Sequence, residues 1–545
     1  GADVRVLFGQ PSLSALAAAV GGSTEIVVPA NLIPEHCEHI TPDLLPLISL
    51  TQAQIDRVVA TVPGGAANIQ DIYPLAPLQE GILFHHLSAG EGDPYVLQSQ
   101  FSFDSRQRLD DFIQALQSVI DRHDVLRTSI VWEGLETPVQ VVWRQTRLVA
   151  EAFEPTRGEG EPLAQLLRRF DPAHYRLNLQ QAPLLHLAVS EDVLNQRWVG
   201  VLLFHHIAID HTTMAVVQQE MQDSLREQTP PLAPAVPYRN YVAQARLGVS
   251  QEAHETFFRE MLGDIDEPTL PFEQQDVRGD RQEIAEAHLA LDPELSRRLR
   301  GRARQAGVSA ASVVHLAWGL VLGRLCRREK VVFGTVLLGR MQGGAGADRA
   351  LGMFINTLPL RLDLAALGSR AALKAAHGRL TALLGHEHAS LALAQRCSGV
   401  PAPTPLFSAL LNYRHGAGEV SQQALDAWQG IESLGGGERT NYPLTLSVDD
   451  NDVGFGLTVQ ATAGVDAQRV CGYMQAALAS LVGALEQGAD VPLGRLSVLP
   501  ATEREQLLFG LNATALDYPR QQTIHGMFEA QVERTPDAVA VVHGG

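Results

Sequence analysis

The stretch Trp198-Val-Gly-Val-Leu-Leu-Phe204 is apolar throughout, with β-branched residues at its front, and it runs straight into His205-His206-Ile207-Ala208-Ile209-Asp210-His211. A continuous apolar run bounded in this way predicts a strand buried on both faces, which requires a sheet covered by further layers and hence an α/β arrangement. The strand end delivers two histidines to the edge of a cleft, where side chains on a rigid sheet reach substrate. Because the two are adjacent, the pleat turns their side chains to opposite faces, so they cannot do the same job.

The chain of 545 residues exceeds the size at which one core usually stops growing, so two lobes with terminal pieces are expected. In the first half, Leu109, Phe112, Ile113, Leu116, Val119 and Ile120 follow helical spacing and predict an amphipathic helix leading into Arg122-His-Asp-Val-Leu-Arg127. In the second, Val313 to Leu325 reads as a buried helix and Val331 to Leu338 as a buried strand followed by Gly339-Arg340. Residues 343–346 read as a flexible loop, 351–362 as extended and 470–485 as a closing helix. Residues 221–282, rich in Pro, Glu and Gln, read as the crossing between lobes. Residues 4–20 have helical spacing, 23–70 read as an irregular linker that packs on a neighbour, and 498–521 as another linker. The tail from Thr523 begins an element with no room to fold, and the start without Met reads as that of an excised fragment.

A formal charge of −19 argues against a nucleic-acid partner, which needs clustered cations. Four cysteines without a Cys-x-x-Cys pair indicate neither a disulfide framework nor a zinc ribbon, and they fit a reducing cytoplasm. The most apolar helical stretch, Ala311 to Cys326, is interrupted by His315 and Arg324 and is too short for a membrane span. His36, Cys37 and His39 cluster without the spacing of a common metal site and are read as part of a partly exposed linker.

For His205 and His206 the plain alternative is a pair of satisfied core histidines. Asp210 weighs against it, because a carboxylate beside Ile207 and Ile209 must find a cation or donors. A zinc site from His205, His206, Asp210 and His211 is possible by residue type but opposed by strand geometry. A serine hydrolase lacks its Gly-x-Ser-x-Gly elbow anywhere in the chain.

The string His205-His206-Ile207-Ala208-Ile209-Asp210 resembles the His-His-x-x-x-Asp-Gly signature of nonribosomal peptide synthetase condensation domains and related chloramphenicol acetyltransferase-like acyltransferases. Tyr73-Pro-Leu-Ala-Pro-Leu-Gln-Glu-Gly81, Arg122-His-Asp-Val-Leu-Arg-Thr128 and Leu351-Gly-Met-Phe-Ile-Asn-Thr357 resemble companion motifs of that family, in its order, over roughly residues 70–495. The resemblance implies two chloramphenicol acetyltransferase-like α/β lobes, residues 70–245 and 246–497, forming a V with a central tunnel. Residues 1–22 resemble the last helix of a peptidyl carrier domain and 522–545 the start of an adenylation domain, with linkers at 23–69 and 498–521.

His85-His86-Leu-Ser-Ala-Gly-Glu-Gly-Asp93 resembles the additional motif of dual epimerisation/condensation domains, the plain alternative being a surface loop after a helix. His211 stands where the usual signature has Gly, which also resembles the dual class. On this resemblance the chain inverts a donor L-residue on its thioester and then forms the peptide bond. His206 is the shared centre, as proton carrier or as positioner of the amine. His205 and Asp210 complete the signature, with Asp210 paired to Arg340 as scaffold. His85, His86 and Asp93 either act directly or shape the donor side. No cofactor or metal is expected on the domain itself. Phosphopantetheine arrives on an upstream donor carrier and a downstream acceptor carrier, next to an adenylation domain, in bacterial secondary metabolism. D-to-L condensation without inversion, and a noncatalytic recruitment platform, are the alternatives.

Overall fold

A computed structural model describes residues 26–544 except 227–232, 274–283, 341–348, 366–367, 417–426, 438–441 and 488. The expected helix at 4–20 and loop at 343–346 lie outside the described residues. Two units are distinguished, residues 1–498 and 499–545.

In the larger unit the first elements are α1 (Gln52–Thr61), β1 (Ile69–Pro74), α2 (Pro77–Ser88), β2 (Val96–Phe103), α3 (Arg106–Arg122), β3 (Thr128–Val131), β4 (Val139–Trp143), β5 (Ala150–Ala152), α4 (Pro162–Arg169), β6 (Leu185–Asp192), β7 (Arg197–His205) and α5 (His211–Leu225). Helices α6 (Arg239–Leu247) and α7 (Gln251–Leu262) follow. Then come β8 (Ile284–Ala290), α8 (Pro293–Ala306), α9 (Ala310–Cys326), β9 (Lys330–Leu337), β10 (Asn356–Asp363), α10 (Ser369–Leu384), α11 (Leu391–Arg396), β11 (Ala409–His415), β12 (Ile431–Gly437), β13 (Leu444–Asp450), β14 (Phe455–Thr462) and α12 (Ala467–Glu486).

Among the described residues the strands form three sheets, ordered β1-β4-β3, β12-β2-β7-β6-β5 and β10-β9-β11-β13-β14-β8. The continuous apolar run becomes β7, which is covered on both faces as its pattern predicts. Leu202 and Phe204 join Phe112 and Leu116 of α3 and Val217 and Met221 of α5 in one core. Val201 and Leu203 join Leu166 of α4 and Phe170 in another. Burying side chains of this size contributes roughly 1.5–3 kcal/mol each, which pins the strand in depth and register. That register places Val96 of β2 opposite His205.

The structure differs from the sequence reading in several places. Residues 52–61 are helical, because Thr51 and Gln54 form a reciprocal capping box and Ile55 and Val58 bury against Ile69 and Val141. Residues 349–355 are irregular, and β10 begins only at Asn356. The sheets also do not follow a division of the chain at residue 245, since β12 pairs antiparallel with β2 and Ile431 packs in the first-half core. The smaller unit holds α13 (Ala501–Glu505), a π-type turn at Gln506–Gly510 and α14 (Ile524–Arg534), a helix where the sequence reading left no room for one. Among the described residues no single helix is long and apolar enough to cross a membrane, and all four cysteines are free.

Candidate active site

Beyond the last residue of β7 the chain makes a tight turn, with Ala208 N donating to His205 O at 3.1 Å. His206 N donates to Tyr95 O at 2.8 Å, which ties the turn to the residue before β2. The two imidazoles then meet different surroundings, as their adjacency requires.

His206 is half-buried, and its Nδ1 lies 2.8 Å from Ile209 O. A carbonyl only accepts, so Nδ1 carries the proton and Nε2 the lone pair. His205 is fully buried. Its Nδ1 accepts from Ile207 N at 3.1 Å and its Nε2 donates to Asp93 Oδ2 at 2.9 Å. Burial lowers its basicity, and the pull of Asp93 offsets this only in part. His205 is therefore a neutral imidazole engaged at both nitrogens, while His206 bonds the Ile209 carbonyl through Nδ1.

The segment 85–93 has a largely exposed tip at residues 87–91, but His86, Gly92 and Asp93 on either side of it are buried. Arg176 holds the end of α2 through Ala89 O at 2.6 Å and through His86 O. Asp93 N donates to Pro172 O at 2.8 Å. Gly92, at φ +70, lies so close to Ala173 that a Cβ would sit 2.2 Å from its carbonyl oxygen. Asp93 Oδ2 accepts from His86 Nδ1 at 2.5 Å as well as from His205, and Oδ1 accepts from Tyr95 N at 2.9 Å. Burial alone would raise the Asp93 carboxyl, but the bonds from His205, His86 and Tyr95 prevail and hold it well below the usual carboxylate range. His86, Asp93 and His205 are thus brought together. Their facing atoms lie within 4.8 Å of one another and are hydrogen-bonded among themselves through the Asp93 carboxylate. His85, half-buried, lies elsewhere on the helix, its ring 5.8 Å from that of Phe84 and 6.0 Å from that of Tyr95.

Asp210 caps α5, accepting from Thr213 N at 2.7 Å, and its other oxygen accepts from Phe354 N at 3.1 Å. Arg340 Nη2 stands 3.6 Å from Asp210 Oδ1, with the guanidinium 4.0 Å over the Phe354 ring and Nη1 donating to Ala350 O at 2.7 Å. Thr213 Oγ1 bonds Gly352 O at 2.7 Å and N at 2.9 Å, Tyr238 bonds Met353 O at 2.5 Å, and Tyr241 bonds Phe354 O at 3.0 Å. Residues 350–354 are thereby stitched to the turn that carries His206. Asp210 faces these donors and His211 is exposed, so His205, His206, Asp210 and His211 do not converge on one point and the zinc alternative fails. Tyr95, Gln79 and Gln140 were missed in the sequence. Gln79 at least lies inside the Tyr73–Gly81 motif.

Residues 69–508 match the family model described as "Condensation domain". The chain belongs to the condensation domain family. It is similar to malpinin synthetase and malpibaldin synthetase of Mortierella alpina, 49% and 47% identical over 99% of this chain but over only 7% and 10% of those proteins. One component protein of the linear gramicidin synthase of Brevibacillus parabrevis is 31% identical over 94% of this chain and 10% of its own length. Fungal and bacterial synthetases thus both match, so the expectation of a bacterial setting has no support over a fungal one.

Among solved structures, a holo four-domain nonribosomal peptide synthetase bound to AMP and glycine aligns with TM-score 0.68 at 16% identity, over 86% of this chain and 37% of that one. The first condensation domain of the calcium-dependent antibiotic synthetase, in complex with a substrate analogue, aligns with TM-score 0.60 at 18% identity, over 78% of this chain and 98% of that one. The condensation domain described here thus has the chloramphenicol acetyltransferase-like α/β fold.

Proposed function

We propose that this domain joins two carrier-bound aminoacyl groups and first inverts the donor residue from L to D. The observation that carries the condensation step is the 2.8 Å contact of His206 Nδ1 with Ile209 O, which directs Nε2 toward substrate as the proton acceptor. The acceptor amine attacks the donor thioester carbon, a C–N bond forms and the C–S bond breaks. The proton of the developing ammonium passes through His206 to the departing sulfur, which leaves as a thiol. Holding two tethered reactants at one point supplies much of the rate by itself.

Inversion takes the donor Cα proton, acidified by the thioester, onto the same imidazole. The electron pair spreads onto the thioester oxygen, the planar enolate turns its other face to the imidazole, and the proton returns from His206 to that face. What supports this second reaction is that the His85–Asp93 segment reaches the site, with Asp93 joining His86 to His205. Since His205 is enclosed and satisfied, this segment acts by holding the turn and the donor side, and His206 alone exchanges protons with substrate. Phosphopantetheine enters on the upstream donor and downstream acceptor carriers, and an adenylation domain follows. The residue ranges 1–22 for a carrier helix and 522–545 for an adenylation start belong to the same reading.

The test supplies L- and D-configured donor aminoacyl pantetheine thioesters with an acceptor thioester and separates the products by chiral chromatography. A D-configured product from the L donor supports inversion. Product from the D donor alone identifies a D-to-L condensation domain, and no product from either donor identifies a recruitment platform.

A further inference from the structure

Helix α2 carries two buried polar side chains on one face, Gln79 and His86, two turns apart. His86 reaches His205 through Asp93. Gln79, fully buried, reaches the other side of the same turn, its Nε2 donating to Ile207 O at 2.7 Å. Its second Nε2 proton goes to Gln140 Oε1 at 3.0 Å, while its Oε1 accepts from Ala76 N at 2.8 Å and from Gln140 Nε2 at 2.9 Å. Gln140, on β4 and equally buried, spends its other Nε2 proton on Pro74 O at 3.1 Å.

The orientation of the Gln79 amide is forced, because Ala76 N–H only donates and Ile207 C=O only accepts. Two amides paired in this way leave Gln79 a single conformation. Packing alone would be served as well or better by leucine here, since a buried amide gains nothing unless its partners need it. The partner that needs it is the Ile207 carbonyl, a turn acceptor pressed against the helix.

We infer that Gln79 is a positioning residue for His206, acting with Gln140 as a clamp on the residue that follows it. This rests on His206 being the reacting base. Helix α2 then secures the turn on both sides of His206, at His205 through Asp93 and at Ile207 through Gln79. The imidazole between them is left with no freedom except rotation about its own side-chain bonds, and the bond from Nδ1 to Ile209 O removes that.

Gln79→Glu separates positioning from bulk stability. A glutamate there faces two acceptors, Ile207 O and Gln140 Oε1, so it repels them when ionised and donates to one when protonated. Burial raises its pKa toward neutrality. At alkaline pH the variant is expected to lose about a hundredfold in kcat, with KM for donor and acceptor thioesters within about twofold of the unmodified chain. The kcat ratio of variant to unmodified chain rises as pH falls and the glutamate takes up its proton. Gln79→Met shows a similar loss with a ratio flat in pH. In ¹⁵N-histidine spectra of the full chain, the single Nδ1-protonated tautomer of His206 gives way to a mixture in both variants.

Folded variants with kcat within about twofold of the unmodified chain and an unchanged His206 tautomer overturn the inference. If the Gln79 variants do not fold, Gln140→Met loosens the same amide with Gln79 in place. It is expected to cost about tenfold in kcat, and full activity with an unchanged tautomer in that variant overturns the inference equally. Absence of product from the unmodified chain counts against the proposed reaction instead, while the tautomer spectra still decide the clamp.

Discussion

His205 and Asp93 stand 112 residues apart in the chain and meet at 2.9 Å, imidazole Nε2 on carboxylate Oδ2, with neither side chain reached by solvent. The same oxygen takes the proton of His86 Nδ1, so one carboxylate holds two histidines and leaves His206 as the group that faces outward.

Asp93→Asn replaces an oxygen that accepts two N–H bonds with an amide nitrogen that accepts none, or turns that nitrogen onto Tyr95 N–H. Either way buried donors lose their acceptor, and the variant is expected to be less stable by about 1–3 kcal/mol. Urea denaturation followed by circular dichroism measures the loss, and stability equal to the unmodified chain contradicts it.

The two histidines of the signature are expected to fail in different ways. His206→Gln removes turnover by at least about a hundredfold while changing stability by less than about 1 kcal/mol, because its ring is half-buried and not part of the core. His205→Phe leaves the Asp93 carboxylate buried without one of its partners and costs about 2–4 kcal/mol. Turnover and denaturation measured on both variants separate the two, and equal stability losses would sink the distinction.

Within the additional motif, His86→Ala and His85→Ala are expected to impair inversion more than condensation. The readout is solvent deuterium entering the donor Cα, compared with peptide bond formation from a D donor. Exchange that survives at the rate of the unmodified chain in both variants refutes the expectation.

Asp210→Ala strips the cap from Thr213 N and the acceptor from Phe354 N, and is expected to cost about 2–4 kcal/mol. Arg340→Met is expected to cost less, because the guanidinium is 3.6 Å away and both Asp210 oxygens already have backbone donors. A larger loss in Arg340→Met reverses that ranking.

Burial lowers His315 and His254 from the ordinary 6.5 to about 4. The folded chain keeps these imidazoles neutral while the unfolded chain protonates them below 6.5. Their contribution to stability is therefore intact above 6.5 and declines as pH falls from there toward 4. Urea midpoints are expected to drop between about pH 7 and pH 5, and His315→Gln to flatten that slope. A midpoint independent of pH across this window contradicts the assignment.

Much of the local structure was legible because it is written in periodicity. The apolar run at 198–204 gave a strand covered on both faces, the spacing from Leu109 gave α3, and the run after Val313 gave α9. The signature identified the turn holding His206, and the resemblance paired Asp210 with Arg340. Helix α1 went unread because its capping signal, Thr51 with Gln54, sits in a segment otherwise rich in turn residues.

What the sequence determined by itself was which short segments form strands and helices, since neighbours in the chain settle that, and it marked one turn as the candidate site. Only the tertiary structure decided that Asp93 binds His205, that Gln79 and Gln140 clamp Ile207, and that β12 joins the sheet of the first half. Those are hydrogen bonds between backbone and side-chain groups far apart in the chain. Whether such a buried group finds its partner depends on how the layers pack, which no local pattern encodes.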